Sequence, residues 1–314
     1  MIPRVKNVPE RACPFCGTAG RKQGEFQVDK QTCDLTWCSR CDLYYLSPPF
    51  RFPEAGSASY YDDQPDRRGL ERADHYGEPG RYPISQKGYR QQLAVIERWA
   101  GRGKLLDVGC GFGGFLFVAQ TAGWDCYGVE ISPLWGEKAR RLLGQPQRIM
   151  IGSLSDGHFP LASFRVIHLR HVIEHLSDPQ AGVQELVDLL EPGGIIVMET
   201  PNSRALVNLT YGWFARWRKL ERRIATPVDP PFHLFGFSPK SLDLLLSRAG
   251  FVRRLLRTTR HGDPTWRFKN EDLTWGEFYG PRGRLMSLVH RLSAWLGRGD
   301  NLLAIYQKPG LREE

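Results

Sequence analysis

The run Leu105-Leu106-Asp107-Val108-Gly109-Cys110-Gly111-Phe112-Gly113-Gly114 constrains this chain more than any other. Two apolar residues lead to an acid, glycines follow at alternate positions, and a helical pattern opens behind them. A second short apolar run, Cys126-Tyr127-Gly128-Val129, then ends in Glu130, 23 residues after Asp107. The pattern predicts a strand, a tight turn, a helix and a second strand. Glycines remove the Cβ atoms that would hold a ligand off the turn's backbone. An acid ending the second strand stands where it accepts hydrogen bonds from two ribose hydroxyls. Turn and acid together, in one βαβ unit, form a specific signal for a nucleoside.

Within the turn the order is Asp-x-Gly-x-Gly-x-Gly, with an acid inside, whereas dinucleotide turns read Gly-x-Gly-x-x-Gly. This resembles motif I of the class I S-adenosylmethionine (SAM)-dependent methyltransferases. The resemblance implies a ligand without a pyrophosphate, whose methionine ammonium favours a carboxylate nearby. It puts the cofactor contacts at Asp107, Gly109, Gly111, Gly113, Glu130, Ile131 and Arg170.

The 314 residues suffice for one large α/β domain and a small appendage. Tyr89, Leu93, Ile96 and Ala100 recur at helical spacing before the Lys104–Val108 strand. Phe115, Val118, Ala119 and Ala122 do so after the glycine turn. Ser132-Pro133, Asp178-Pro179 and Ser238-Pro239 each open a further helix. Strands are predicted at 162–169, 195–199, 251–258 and 302–308, with Pro192-Gly193-Gly194 as the turn before the second of these. Alternating strands and helices imply a mostly parallel sheet covered on both faces.

Five of the seven cysteines lie in the first 41 residues. Cys13-Pro14-Phe15-Cys16 and Cys38-Ser39-Arg40-Cys41 are two Cys-x-x-Cys knuckles spaced for tetrahedral Zn²⁺. Disulfides are the competing reading, and the Met1–Lys6 start, with no apolar stretch behind its charges, disfavours it. A cytoplasmic protein is expected, since no run approaches the ~18 apolar residues of a membrane span. The segment is too small to build much core, so the metal is expected to supply its folding energy. Cys33, Cys110 and Cys126 are expected to pack.

From residue 86 to 308 the order of elements resembles class I methyltransferases of the ubiquinone O-methyltransferase and glycan-modifying branches. The residues that carry this are His171-Val172-Ile173-Glu174-His175-Leu176-Ser177-Asp178-Pro179, Leu190-Glu191-Pro192-Gly193-Gly194, Glu199-Thr200-Pro201-Asn202 and His233-Leu234-Phe235-Gly236-Phe237-Ser238. The first 49 residues resemble the zinc ribbon of bacterial sugar and cell-envelope methyltransferases. The expected fold is therefore α/β, a Rossmann-like sheet of seven mostly parallel strands with a small N-terminal zinc ribbon. Residues 1–60 would form ribbon and connector, and 61–314 the methyltransferase domain with a cap insertion about 201–237. Two departures stand out. Gly152-Ser153-Leu154 lacks the acid that family members use for adenine, and Phe164-Arg165 replaces a common Phe-Asp.

The resemblance implies methyl transfer from SAM to a small-molecule or glycan acceptor, most readily a hydroxyl. Such a hydroxyl needs a base near neutral pH. His171 and His175 follow a strand at the sheet's carboxyl edge, where ligands of open α/β sheets sit. His233 returns from the expected cap and is the first choice for the base, with Glu174 orienting a neighbouring imidazole.

Two other readings fit the residues. A net charge of +9 and a zinc site suit an RNA methyltransferase. The Asn/Asp-Pro-Pro-Tyr/Phe grip for a flipped base is absent, however, because Leu169-Arg170-His171-Val172 stands there. A non-catalytic SAM-binding scaffold is the other, and the intact glycines and Glu130 disfavour it. Trp213, Phe214 and Trp217 among Arg216, Arg218 and Lys219 suit a substrate cap, or else a membrane-surface helix suited to a lipid-linked acceptor. Leu285, Leu288, Leu292, Trp295 and Leu296 form one apolar face, to be laid on the domain or on a second copy in a homodimer.

Overall fold

The structure is a computed structural model that describes residues 11–28, 31–50, 86–157, 159–206, 208, 228, 233–259, 292, 293 and 295–310. Most of the connector, the cap and the 284–291 stretch therefore lie outside the described residues.

Two sheets organise the described chain. The smaller contains β1 (Arg21–Val28), β2 (Gln31–Cys38), β3 (Leu43–Ser47) and β9 (Phe235–Gly236) in that order. The larger contains β4 (Lys104–Val108), β5 (Asp125–Glu130), β6 (Ile149–Ile151), β7 (Phe164–Arg170), β8 (Leu190–Pro201), β10 (Val252–Thr259) and β11 (Asn301–Gln307). Its spatial order is β10-β11-β8-β7-β4-β5-β6. Five neighbouring strands run parallel, while β11 is antiparallel to both β8 and β10. The expected seven-stranded, mostly parallel sheet is present. Chain order turns back at β4, which has β5 on one side and β7 on the other, and such a switch point opens a crevice at the strands' carboxyl ends.

Helices α1 (Gln86–Ala100), α2 (Gly114–Thr121) and α3 (Pro133–Leu143) connect with one apolar cluster. Leu93, Ile96 and Ala100 are buried there against Leu105, Phe115 and Val166, as their helical spacing requires. Helices α4 (Pro179–Leu189) and α5 (Pro239–Arg248) join a second cluster with Leu106, Ile167 and Met198. Adjacent strand residues such as Leu105 and Leu106 belong to opposite clusters, and both are fully buried. Caps fix the starts of these helices. Ser132 accepts from Trp135 N, Asp178 from Gln180 and Ala181 N, and Ser238 exchanges bonds with Ser241.

The Pro192-Gly193-Gly194 turn lies inside β8, which begins at Leu190 and shifts register against β7 between Phe164 and Val166. Of the expected apolar face, Leu292, Trp295 and Leu296 are among the described residues, and all three are exposed.

The ribbon is built into the second cluster. Cys13, Phe15, Leu43 and Tyr45 share that core with Phe237 and Leu242. Tyr44 and Tyr45 pair with Gly236 and Phe235, Gln180 Nε2 donates to Pro14 O at 3.0 Å, and Arg248 Nη1 donates to Phe15 O. Arg204 grips both carboxylate oxygens of Asp42 and lies over the Trp37 ring.

Candidate functional site

The glycine turn follows β4. Gly109, Gly111 and Gly113 have φ of +75°, +55° and +84°, the left-handed region that favours glycine. At Gly109 a Cβ would meet Val172 Cγ2 at 2.5 Å, so the absent side chain lets the segment after β7 close onto the turn. Open space lies where a Gly111 Cβ would point. Gly109 and Cys110 N–H groups donate to Val129 O at 2.8 and 3.0 Å, tying the turn to the end of β5.

Glu130 ends β5 and is buried. Gly111 N donates to Oε2 at 2.7 Å and Ser132 N to Oε1 at 3.0 Å. Burial pushes its carboxyl up, Asp107 adds to this, and the Ser132, Gly111 and Ile131 N–H groups oppose it. Three backbone N–H groups thus hold the carboxylate in place. A pair of ribose hydroxyls fits this carboxylate beside an open glycine turn.

Other sequence candidates have committed partners. Asp107 is buried, with Oδ1 2.7 Å from His168 Nδ1 on the neighbouring strand. Sequence reasoning missed His168; its signal was a histidine within an otherwise apolar strand. Arg170 Nε donates to buried Glu199 at 3.2 Å, and Asn301 Nδ2 donates to that carboxylate's other oxygen. At the predicted adenine side, Asp156 accepts from Ser153 N and Oγ.

The four residues singled out for catalysis converge. His171 follows β7 with φ +52°, a strained conformation for a non-glycine residue, and its N–H donates to Glu199 O at 2.8 Å. Its Nδ1 lies 3.2 Å from Glu174 Oε1, and Thr200 Oγ1 donates to Oε2 at 2.9 Å. Glu174 is 1% exposed. Burial alone would raise its carboxyl, but the imidazoles of His171, His175 and His233 outweigh it and hold the group down at about 2. The His175 and His233 rings meet edge to face, with centroids 4.9 Å apart. Leu234 N donates to Glu174 O at 2.8 Å and Leu46 N donates to Leu234 O at 3.2 Å, so ribbon, His233 segment and Glu174 are stitched together.

In the ribbon the Sγ atoms of Cys13, Cys16, Cys38 and Cys41 all lie within 4.8 Å of one another. Both knuckles turn the same way, as Gly17 and Asp42, each following a second cysteine, have φ of +68° and +57°. Burial pushes the Cys13 thiol up, and Cys41 to about 12. Four sulfurs at this spacing, from three buried cysteines and the half-buried Cys16, fit a tetrahedral metal, which would displace their protons. All seven cysteines are free thiols, and Cys33, Cys110 and Cys126 are buried as expected.

Sheet order, glycine turn and strand-end acid together define a nucleoside-binding α/β enzyme fold. Residues 86–254 match the family described as a methyltransferase domain, and the chain belongs to that family, with the sheet of the class I SAM-dependent methyltransferases. It is similar to the chloroplastic tocopherol O-methyltransferase of Arabidopsis thaliana, at 31% identity over 37% of this chain and 39% of the relative. It is also similar to the ubiquinone biosynthesis O-methyltransferase of Cereibacter sphaeroides, at 30% identity over 36% of this chain and 49% of the relative. The chain thus spans less than half the length of these curated relatives. Among solved structures, phosphoethanolamine N-methyltransferase 2 of Haemonchus contortus shares the fold, with a TM-score of 0.51 at 16% identity, over 82% of this chain and 61% of that one. Among the described residues, no helix is long and apolar enough to cross a membrane.

Proposed function

We propose that this chain transfers the methyl group of SAM to a hydroxyl of a small-molecule or glycan acceptor. The observation that carries the reading is Glu130, whose two oxygens are held by backbone N–H groups beside an open left-handed glycine turn at the sheet's switch point. Gly109, Gly111, Gly113 and Ile131 line that turn and its neighbouring strand end, Asp107 anchors its base, and Arg170 ends the adjacent strand β7, where it pairs with Glu199.

When bound, SAM supplies an electrophilic methyl group on a sulfonium. The protein's part is to hold the acceptor oxygen in line and to take its proton. The dyad of His171 and Glu174 suits the second task. An ionised Glu174 accepts from Nδ1–H, which leaves Nε2 as the basic nitrogen. This contact favours His171 over His233 as the base. His171 is about a third exposed, so an acceptor can reach it. The names of two relatives carry O-methylation, which supports oxygen as the acceptor atom. In the ribbon, Cys13, Cys16, Cys38 and Cys41 would hold one Zn²⁺ in a closed shell, a structural role.

Incubation with SAM and a panel of hydroxyl acceptors, read by mass spectrometry of products, tests the activity. His171→Ala is expected to keep SAM affinity and lose ~10²-fold or more in turnover. Near-normal turnover would contradict the base assignment.

A further inference from the structure

The imidazole of His168 is a buried group that the proposed chemistry leaves unused. It stands on β7 in register with Asp107 of β4, and its Nδ1 lies 2.7 Å from Asp107 Oδ1. A carboxylate can only accept, so the ring supplies the proton as Nδ1–H. The same sheet face is otherwise apolar here, with Leu105 and Val166 one alternation below the pair. Phe115, which follows Gly114 into α2, packs on the imidazole at 4.3 Å between ring centroids, and Tyr89 packs on Phe115 at 5.8 Å. The helix that the glycine turn feeds therefore holds the ring against the sheet. Asp107 Oδ2, in contrast, has no hydrogen-bond partner among the described residues. Burial, the larger cause, and Asp107 both push the Glu130 carboxyl up, so the two acids stand within electrostatic reach of each other. Two buried carboxylates at one turn call for a cation.

We infer that His168 is a positioning residue for SAM: by holding Oδ1 it fixes Asp107 so that Oδ2 receives the ammonium of the ligand's methionine end. This role rests on the SAM reading above and adds to it a residue outside the glycine pattern. A carboxylate already pinned by a clamped ring loses little side-chain entropy when the ligand arrives, which is how a pre-organised contact gains affinity. Without the imidazole the charge stays but the carboxylate is free to turn. The loss then falls on the ligand's amino-acid end and not on its nucleoside, because Glu130, on β5, serves the ribose separately.

The test compares two probes by calorimetry on the full chain. S-adenosylhomocysteine carries the ammonium; 5′-methylthioadenosine shares its adenosine and thioether sulfur but lacks the amino-acid tail. Asparagine carries an amide nitrogen where Nδ1 stands, and glutamine carries it one bond further out. His168→Gln is expected to bind S-adenosylhomocysteine about tenfold more weakly than the wild type, with its affinity for 5′-methylthioadenosine unchanged. His168→Asn should restore the first affinity. A residue that only stabilises the sheet would weaken both probes or neither, and either result overturns the role. An asparagine variant no better than the glutamine one overturns it too. Asp107→Asn, which removes the charge at nearly constant shape, should give the same split between probes even if His168→Gln does not fold. Equal effects on both probes in that variant likewise overturn the role. A wild type that binds neither probe would sink the SAM reading itself, whereas Glu130→Ala should weaken both.

Discussion

Asp107 and His168 face each other across the β4–β7 pair, with Oδ1 2.7 Å from Nδ1 and both side chains buried. The acid that opens the glycine turn is thus braced sideways by the sheet. Phe115 packs on the imidazole at 4.3 Å between ring centroids, closing the pair from the helix side. Removing the imidazole strands a buried carboxylate, and His168→Leu is expected to cost about 3 kcal/mol of stability. Urea denaturation checks this, and an unchanged midpoint and slope would show that the pair carries no stability.

Zinc is expected at about one per chain, and its removal should reach beyond the ribbon. Tyr44 and Tyr45 pair with Gly236 and Phe235, and Leu46 N holds Leu234 O. Chelation should therefore speed hydrogen exchange at Leu234–Phe237 as well as in β1–β3, because the metal supplies the ribbon's folding energy. Metal analysis and exchange mass spectrometry decide it. A folded, metal-free ribbon with these cysteines in disulfides would refute the assignment.

Arg204 should not tolerate lysine. Its fork takes both Asp42 oxygens while its plane lies 5.4 Å from the Trp37 ring centre. Lysine keeps the charge and loses fork and stacking. The pair is partly exposed, with side-chain exposures of 37% and 18%, so screening limits the coupling to about 1 kcal/mol. A double-mutant cycle of Arg204→Lys with Asp42→Asn measures it. Strict additivity would mean that the contact contributes nothing.

What the sequence revealed and what it hid follow from the range of the interactions. The βαβ unit and the helix starts rest on neighbours within a few residues, and Glu130, Gly109, Ser132 and Asp178 all stand where local pattern puts them. Long-range pairing left no such mark. Phe235-Gly236 has only two residues in β9 and pairs with a strand nearly 200 positions away, so nothing local shows that it completes the ribbon's sheet. Pro192-Gly193-Gly194 reads as a turn, yet β7 and β11 on either side draw Leu190–Pro201 into one irregular strand. His171, Glu174, His175 and His233 were each legible as polar residues at the sheet's edge. Their convergence around one buried carboxylate was not, because it depends on how the His233 segment docks.

SAM affinity should fall at a higher pH than an ordinary carboxylate would impose. Burial, with Asp107 nearby, raises the Glu130 pKa, and ribose hydroxyls donate to its ionised form. Affinity is therefore complete above the raised pKa and lost as pH falls through it. The same raised pKa means that protonation favours the ligand-free fold, so Glu130's own contribution to apo stability grows as pH falls. Calorimetry from neutral to acidic pH tests the affinity change. Glu130→Gln should bind more weakly and without this dependence, and an identical pH profile in that variant would remove Glu130 as its source.

The central claim is that the turn after β4 and the acid ending β5 hold SAM. Calorimetric titration of SAM into the wild type and Glu130→Ala tests it most directly. Removing the carboxylate leaves two ribose hydroxyls unpaired, a loss of about 1–3 kcal/mol, or about 5- to 150-fold in affinity. Wild-type binding weakened by that factor in the variant is the predicted result; equal SAM affinity in the two proteins would contradict the account.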